Sequence, residues 1–256
     1  MLFCIDVGNT NIVFGLTYND RILQLWRIRT DSKITPDEIG VIIDSLLRSA
    51  QKGPEDIKNV IVTSVVPSLK RTINEFSSRY LNIMPVFVDH TTDTGMEIKY
   101  ADPGEVGSDR IVNSVGAYEK YRVPLVVVDM GTATTFDYIS GDGCYMGGAI
   151  APGIMISCEA LFQRGSRLPR IDTLTRPESV IAKDTVSSMN AGIIYGYAGL
   201  VDGLVNRIKK ESGETLTVVA TGGLAPVIYD ISETIDHIEE YLTIEGLMTI
   251  SRRLNK

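Results

Sequence analysis

Two stretches of this 256-residue chain set a carboxylate, a glycine and several small hydroxyl or amide side chains in the same order: IDVGNTNIVFGL at residues 5–16 and VDMGTATTFDYI at residues 128–139. Asp6 and Asp129 stand close to half the chain length apart, which points to a duplicated unit. In each copy an apolar run (2–5 and 125–128) ends at the Asp, and a β-rich run follows the Gly, the pattern of a hairpin with a tight turn. Such a turn suits a phosphate held with a metal ion. Glycine lets the backbone approach, amides and hydroxyls bind the phosphate oxygens, and the Asp holds a cation that offsets their charge. Either copy alone is equally an ordinary hairpin, because Asp-x-Gly is common turn chemistry. The repetition favours two copies gripping one nucleotide from two sides. Aligned on Asp and Gly, Thr10 falls opposite Ala133, with Thr132 and Thr134 to either side.

A third glycine turn lies in TVVATGGLAP, residues 217–226, where a β run ends in Thr221-Gly222-Gly223 before a helix. Its free amides suit an adenosine or phosphate edge, and it also reads as a plain βα turn. A fourth candidate, YADPGEVGSDR at residues 100–110, sets Asp109 beside Arg110 near the start of a helix running through 111–121. Asp109 could orient and deprotonate a hydroxyl while Arg110 forks a substrate carboxylate, or it could simply cap the helix. No G-x-x-x-x-G-K-[ST] loop occurs, and no G-x-G-x-x-G follows a strand.

Composition narrows the chemistry. The chain is 44% hydrophobic and 22% charged, as a folded domain should be, and no apolar stretch approaches the ~20 residues of a membrane span. A net charge of −7 without a Lys/Arg block disfavours extended nucleic-acid binding. His90 and His237 have no metal-ligand spacing, so zinc and a histidine-based triad are disfavoured. Cys4, Cys144 and Cys158 lack a CxxC pairing and read as structural thiols. The N-terminus reads as a first strand and not as a signal peptide, so a cytoplasmic location is expected.

These residues need elements to hold them. Strands are expected at 2–6, 12–17 and 22–28, then a helix at 35–49 opened by a capping box from Thr35 to Glu38 with Pro36 at its first position. A strand at 59–66, a helix at 68–80 and a strand at 85–89 follow. The second half repeats the beginning: strands at 125–129, 134–139 and 144–149, then helices at 153–163 and 185–211. A strand at 215–220, a helix after Gly223, a short strand near 237–241 and a last helix from Ile244 complete it. The expected architecture is α/β, with lobes at residues 1–118 and 119–256, each a mixed sheet with helices, and a nucleotide cleft between them.

Taken together the motifs are specific. DVGNT (6–10), GSDR (107–110), DMGTATT (129–135), GGAIAPG (147–153), LPRI (168–171) and TGG (221–223) occur in the order seen in type III pantothenate kinases, and the chain resembles that family over essentially its whole length. The family belongs to the superfamily of acetate and sugar kinases, heat-shock chaperones and actin. The resemblance therefore implies two duplicated actin-like, ribonuclease H-like lobes. It also implies ATP-dependent phosphorylation of pantothenate to 4′-phosphopantothenate, the first step of coenzyme A biosynthesis. Homodimers with the site near the subunit interface, and a need for a monovalent cation, K⁺ or NH₄⁺, beside Mg²⁺, are further implications.

Carried onto this sequence, the first hairpin (Asp6, Val7, Gly8, Asn9, Thr10, Asn11, Ile12 and Val13) would bind the ATP phosphates, with Asp6 near Mg²⁺. Asp129 would ligate the monovalent cation and Thr132 would contact ATP, with Gly222 and Gly223 completing the nucleotide pocket. Tyr100, Gly107, Ser108 and Arg110 would hold pantothenate, and Asp109 would be the proton acceptor. The family's G-K-N-T threonine corresponds to Thr185, in a stretch that here reads Ala182-Lys183-Asp184-Thr185. The main alternative is a duplicated ATP-binding fold that serves as a nucleotide-responsive regulator, against which the Asp109–Arg110 pair argues because such a protein has no need of it. Another phosphotransferase of the superfamily, acting on acetate, a sugar or polyphosphate, is the remaining alternative.

Overall fold

The computed structural model describes residues 1–165, 167–171 and 174–255. In chain order the elements are β1 (Leu2–Val7), β2 (Asn11–Tyr18), β3 (Arg21–Arg29), α1 (Pro36–Ser49), β4 (Asn59–Ser64), α2 (Pro67–Phe76), β5 (Val86–Phe87) and α3 (Ser108–Tyr121). They are followed by β6 (Leu125–Met130), β7 (Ala133–Ile139), β8 (Tyr145–Pro152), α4 (Ile154–Arg164), α5 (Thr185–Ser212), β9 (Thr217–Thr221), α6 (Ala225–Tyr229), β10 (His237–Ile238) and α7 (Leu242–Leu254).

The two sheets share one topology. The first has the order β3-β2-β1-β4-β5 and the second, read from the same side, β8-β7-β6-β9-β10. In each, the Asp-bearing strand pairs antiparallel with the next strand (β1 with β2, β6 with β7) and parallel with the third one after it (β1 with β4, β6 with β9). Asp6 sits in register with Val13 and Thr63, and Asp129 with Thr135 and Thr221. This agreement places the two hairpins at equivalent positions. It also accounts for the offset between their sequences: residues 8–11 separate the paired Val7 and Ile12, whereas only 131–133 separate Met130 and Thr134.

Compactness groups the chain into two units that do not follow a single cut at residues 118/119. One unit holds Met1–Met96, Ala101–Glu119 and the segment from Leu242, and the other holds Glu97–Tyr100 and Lys120–Tyr241. The last helix thus joins the first unit, where Thr243 Oγ1 donates to Asn113 Oδ1 of α3 at 2.8 Å. Ile244 of the same helix packs directly over Gly15 of β2.

Each sheet has an apolar core on one face. In the first unit Phe3, Ile5 and Val7 of β1 pack with Ile12 and Phe14 of β2, under Ile39, Ile43 and Leu47 of α1 and Leu69, Ile73 and Phe76 of α2. In the second, Val126, Val128 and Met130 pack with Phe136, Val218 and Ala220, covered by Ile154 of α4 and by Val201 and Val205 of α5. Burial of such side chains is the main stabilising term, about 1.5–3 kcal/mol for each large one. The alternating burial over residues 11–14 of β2 and the helical spacing in α1 follow from these faces.

Helix boundaries follow local chemistry. Thr35 Oγ1 accepts from the Glu38 amide at 3.2 Å and Glu38 Oε2 accepts from the Thr35 amide at 2.7 Å, the expected capping box. α5 is capped by Asp184, whose Oδ1 accepts from the Ser187 amide at 2.9 Å, and it ends at Gly213 in the left-handed region (φ 69°). The helix expected at 68–80 instead stops at Phe76, widens into a π turn over Ser77–Leu81 and ends at left-handed Asn82. The elements expected at 85–89 and 237–241 shrink to two-residue strands at their sheet edges.

Candidate active site

The first hairpin turn closes through the Gly8 amide, which donates to the Asn11 carbonyl at 3.0 Å. Thr30, just past β3, clamps it from the side: its hydroxyl donates to Gly8 O at 2.6 Å and its amide to Thr10 O at 3.0 Å. Asn9 and Thr10 are exposed and Asp6 is half-buried beneath them. Val7 and Ile12 bury their side chains fully in the core, so only their backbone is available to a ligand. Sequence reasoning missed Thr30 because its role comes from strand pairing and not from its neighbours.

In the second unit the Gly131 amide donates to Ala133 O at 3.1 Å, and Thr132 is exposed at the tip. The third turn meets this hairpin directly. Gly222 has φ +92°, and a side chain there would bring its Cβ to 2.7 Å from both Asp129 Oδ1 and the Met130 carbonyl oxygen. Only glycine fits, for its backbone conformation and for the approach. The carboxylate and the main-chain oxygen thus lie close to the same turn, and carboxylate and carbonyl oxygens are the ligands hard cations take. Gly223 follows at the turn into α6 with open space where a side chain would be.

Asp109 lies in the first turn of α3, and Ser108 anchors that turn to β4. The Ser108 hydroxyl accepts from Thr63 Oγ1 at 2.8 Å and from the Ser64 amide at 3.1 Å, and donates to Ser64 O at 3.2 Å. Its bonding capacity is thereby used within the protein. Because Thr63 is the register partner of Asp6, the start of α3 stands at the same sheet end as the first turn. Asp109 Oδ1 accepts from the Arg110 amide at 2.8 Å, and a Cβ at Gly107 would lie 2.6 Å from that same oxygen. Burial pushes the Asp109 carboxyl above the ordinary range, and the Arg110 amide and guanidinium pull it part of the way back. Arg110 itself is only 7% exposed, rare for a guanidinium.

Tyr100 and Thr185 belong to the second unit. Thr185 opens α5 and, with Lys183, Asp184, Ser157, Met189 and Tyr197, lines a groove of about 820 Å³. Asp184 performs the helix capping that an asparagine would perform equally well, so the departure from G-K-N-T preserves the turn that presents Thr185. The predicted residues therefore form two sets. Asp6 to Val13 and Gly107 to Arg110 lie in one unit, and Tyr100, Asp129, Thr132, Thr185, Gly222 and Gly223 in the other.

Among the described residues no three His, Cys, Asp or Glu side chains cluster to hold a metal. Single carboxylates at Asp6 and Asp129 fit ions that take their remaining ligands from phosphate oxygens, backbone carbonyls and water, the usual mode of Mg²⁺ beside a nucleotide.

Solved structures confirm the architecture. The fold matches a Campylobacter jejuni protein described as a Baf family transcriptional activator (TM-score 0.62, 17% identity, 99% of this chain and 98% of that one). It also matches a ROK family glucokinase from Streptomyces griseus solved with glucose and AMPPNP (TM-score 0.58, 13% identity, 98% of each chain). These likenesses carry the actin-like fold and nothing further. At the level of sequence, the family model for type III pantothenate kinase matches residues 2–207. Curated type III pantothenate kinases from Geobacter sulfurreducens (53% identity over 253 residues, 99% of both chains) and Syntrophobacter fumaroxidans (52% over 256 residues, 100% of this chain and 99% of the relative) align end to end. The chain belongs to the type III pantothenate kinase family.

Proposed function

We propose, from family membership and the geometry together, that the chain phosphorylates pantothenate to 4′-phosphopantothenate with ATP, the first step of coenzyme A biosynthesis. It is an ATP-dependent pantothenate kinase. The observation that carries the assignment of roles is the Asp109–Arg110 pair, fixed by Ser108 to the sheet end that bears the first turn.

In this reading the primary hydroxyl oxygen of pantothenate forms a bond to the γ-phosphorus as the bond from that phosphorus to the bridging oxygen breaks, and ADP departs. Asp109 orients the hydroxyl and takes its proton. Burial raises its affinity for a proton, which suits a general base. Arg110 holds the pantothenate carboxylate, with Gly107, Tyr100 and Thr185 around the acceptor. The turn residues from Asn9 to Asn11 and Thr132 bind phosphate oxygens, with Gly8 closing the turn beneath them, and Gly222 and Gly223 flank the nucleoside side. Asp6 would hold Mg²⁺ and Asp129 a monovalent ion, and these cations would offset the charge of the phosphates. Ser108 acts through its hold on β4, with its backbone left to meet substrate.

We further propose a cytoplasmic homodimer. No described helix is long and apolar enough to cross a membrane. Along α5, Gly192, Gly196, Gly199 and Gly203 all face open space, at a spacing that forms one helical stripe where a second helix can approach closely.

The decisive assay is pantothenate-dependent ADP formation from MgATP in potassium and in sodium buffer. Potassium-favoured turnover is expected. ATP binding with no turnover in either buffer would turn the reading toward a nucleotide-responsive regulator.

A further inference from the structure

A buried polar couple behind Tyr100 has no place in the chemistry above. Asp137 of β7 and Tyr145 of β8 are 1% and 0% exposed, and Tyr145 OH donates to Asp137 Oδ1 at 2.7 Å. Thr135, the register partner of Asp129, donates its hydroxyl to the other carboxylate oxygen at 3.2 Å. A carboxylate this deep costs stability unless its oxygens are satisfied, so the couple holds the Tyr145 ring in one orientation.

Tyr145 in turn holds Tyr100. The segment 97–100 runs parallel to the start of β8 through a bridge at Ile98, with the Tyr145 amide donating to Glu97 O and the Lys99 amide to Tyr145 O, both at 2.8 Å. The Tyr100 ring leans on the Tyr145 ring at 6.3 Å between centroids and 55° between planes. Its far edge lies over Gly147, where an added Cβ would be 3.4 Å from Tyr100 Cε2. Gly147 has φ +111°, a conformation side chains rarely adopt, and the β7–β8 register shifts beside it. Backbone, ring and glycine floor together leave Tyr100 one seat.

We propose that Asp137 and Tyr145 are positioning residues that fix Tyr100 as a wall of the pantothenate site, so that this buried couple sets affinity for the acceptor and not for ATP. The proposal rests on the assignment of Tyr100 to pantothenate made above.

The test compares Tyr145→Phe, Gly147→Ala and Tyr100→Ala, with thermal melts to confirm folding and KM measured separately for pantothenate and MgATP. Tyr145→Phe keeps the ring and removes the donor. Gly147→Ala crowds the Tyr100 ring and strains the backbone beneath it while leaving the Asp137 and Tyr145 side chains unaltered, and Tyr100→Ala together with whichever of the two other variants melts like the parent carries the test. Each should raise the pantothenate KM about fivefold or more, with the MgATP KM within about twofold. Placed in the Tyr100→Ala background, either change should add little, because both act through that ring. A pantothenate KM sensitive to Tyr100→Ala but unmoved by the other two overturns the positioning role alone. Indifference to Tyr100→Ala overturns the Tyr100 assignment and the proposal with it. Equal rises in both KM values, additive with Tyr100→Ala, would mark a general structural role and overturn it as well.

Discussion

Thr63 Oγ1 donates to Ser108 Oγ at 2.8 Å, and this one bond joins the strand position beside Asp6 to the residue that precedes Asp109. The candidate phosphate turn and the candidate base are thus set by the same strand end. Thr63→Val keeps the shape and removes the donor while Ser108 retains its two bonds to Ser64. The change should cost about 1 kcal/mol of stability, and turnover should fall about tenfold through misplacement of the first turn of α3. Turnover equal to the parent's would show that Ser64 alone anchors Ser108.

Asp109→Asn should lower turnover by at least ~10²-fold, within the range of general-base effects. Its effect on stability has the opposite sign. Burial raises the folded-state pKa of this carboxyl, so its charged form is unfavourable in the folded chain, and the penalty is present once pH exceeds the raised value. At pH 7 the neutral asparagine should therefore melt no lower than the parent. That advantage should vanish as pH falls through the raised pKa to the ordinary carboxyl range, where Asp109 is protonated in both states. In the parent, kcat should fall toward acid as the same carboxyl takes up its proton. A variant that melts lower at pH 7 than at pH 4, relative to the parent, would contradict the sign.

Arg110→Lys keeps the charge but loses the planar fork. The pantothenate KM should rise about tenfold or more, with the ATP KM unmoved, because bidentate carboxylate recognition is what the substitution removes. Steady-state kinetics with each substrate varied decides it, and a rise confined to the ATP KM would transfer Arg110 to the nucleotide.

Gly222→Ala should flatten the dependence on potassium. The new Cβ would fall 2.7 Å from Asp129 Oδ1 at a φ of +92°, so the carboxylate must move or the turn must strain. Activity titrated against KCl should lose its activation while the protein still folds. Unaltered activation would separate Asp129 from the cation site.

How much of this was legible beforehand depended on whether the cause was local. The capping box at Thr35 and Glu38, the Asp–Gly turns and the helix from Thr185 are written in neighbouring residues, and they were found. The duplication was legible because the two turns repeat; the shared sheet order and register then explained why their threonines do not align. Thr30, Thr63, Asp137 and Tyr145 were not legible as site residues. Each acquires its role through a register or a bulge that brings distant segments together. The return of α7 to the first unit was hidden for the same reason. Its apolar face could have packed anywhere until Gly15 made room for Ile244. Ser108 is expected from the motif to meet substrate, and that its hydroxyl turns to β4 needs the three-dimensional partner to be seen.

The glycine stripe of α5 makes the last prediction. Four glycines facing open space cost a helix about 1 kcal/mol each relative to alanine, a burden without return in a solvated face. In the proposed homodimer, close contact with the same helix of a second copy would supply the return. Gly196→Arg, in the middle of the stripe, should convert a dimer to a monomer in light scattering, while circular dichroism stays unchanged because a Cβ added there meets open space. The same variant should lose pantothenate turnover if the site draws on the interface, and keep MgATP binding. A dimer that survives Gly196→Arg would place the interface on another face, and a monomer that keeps full turnover would show that each chain carries a complete site.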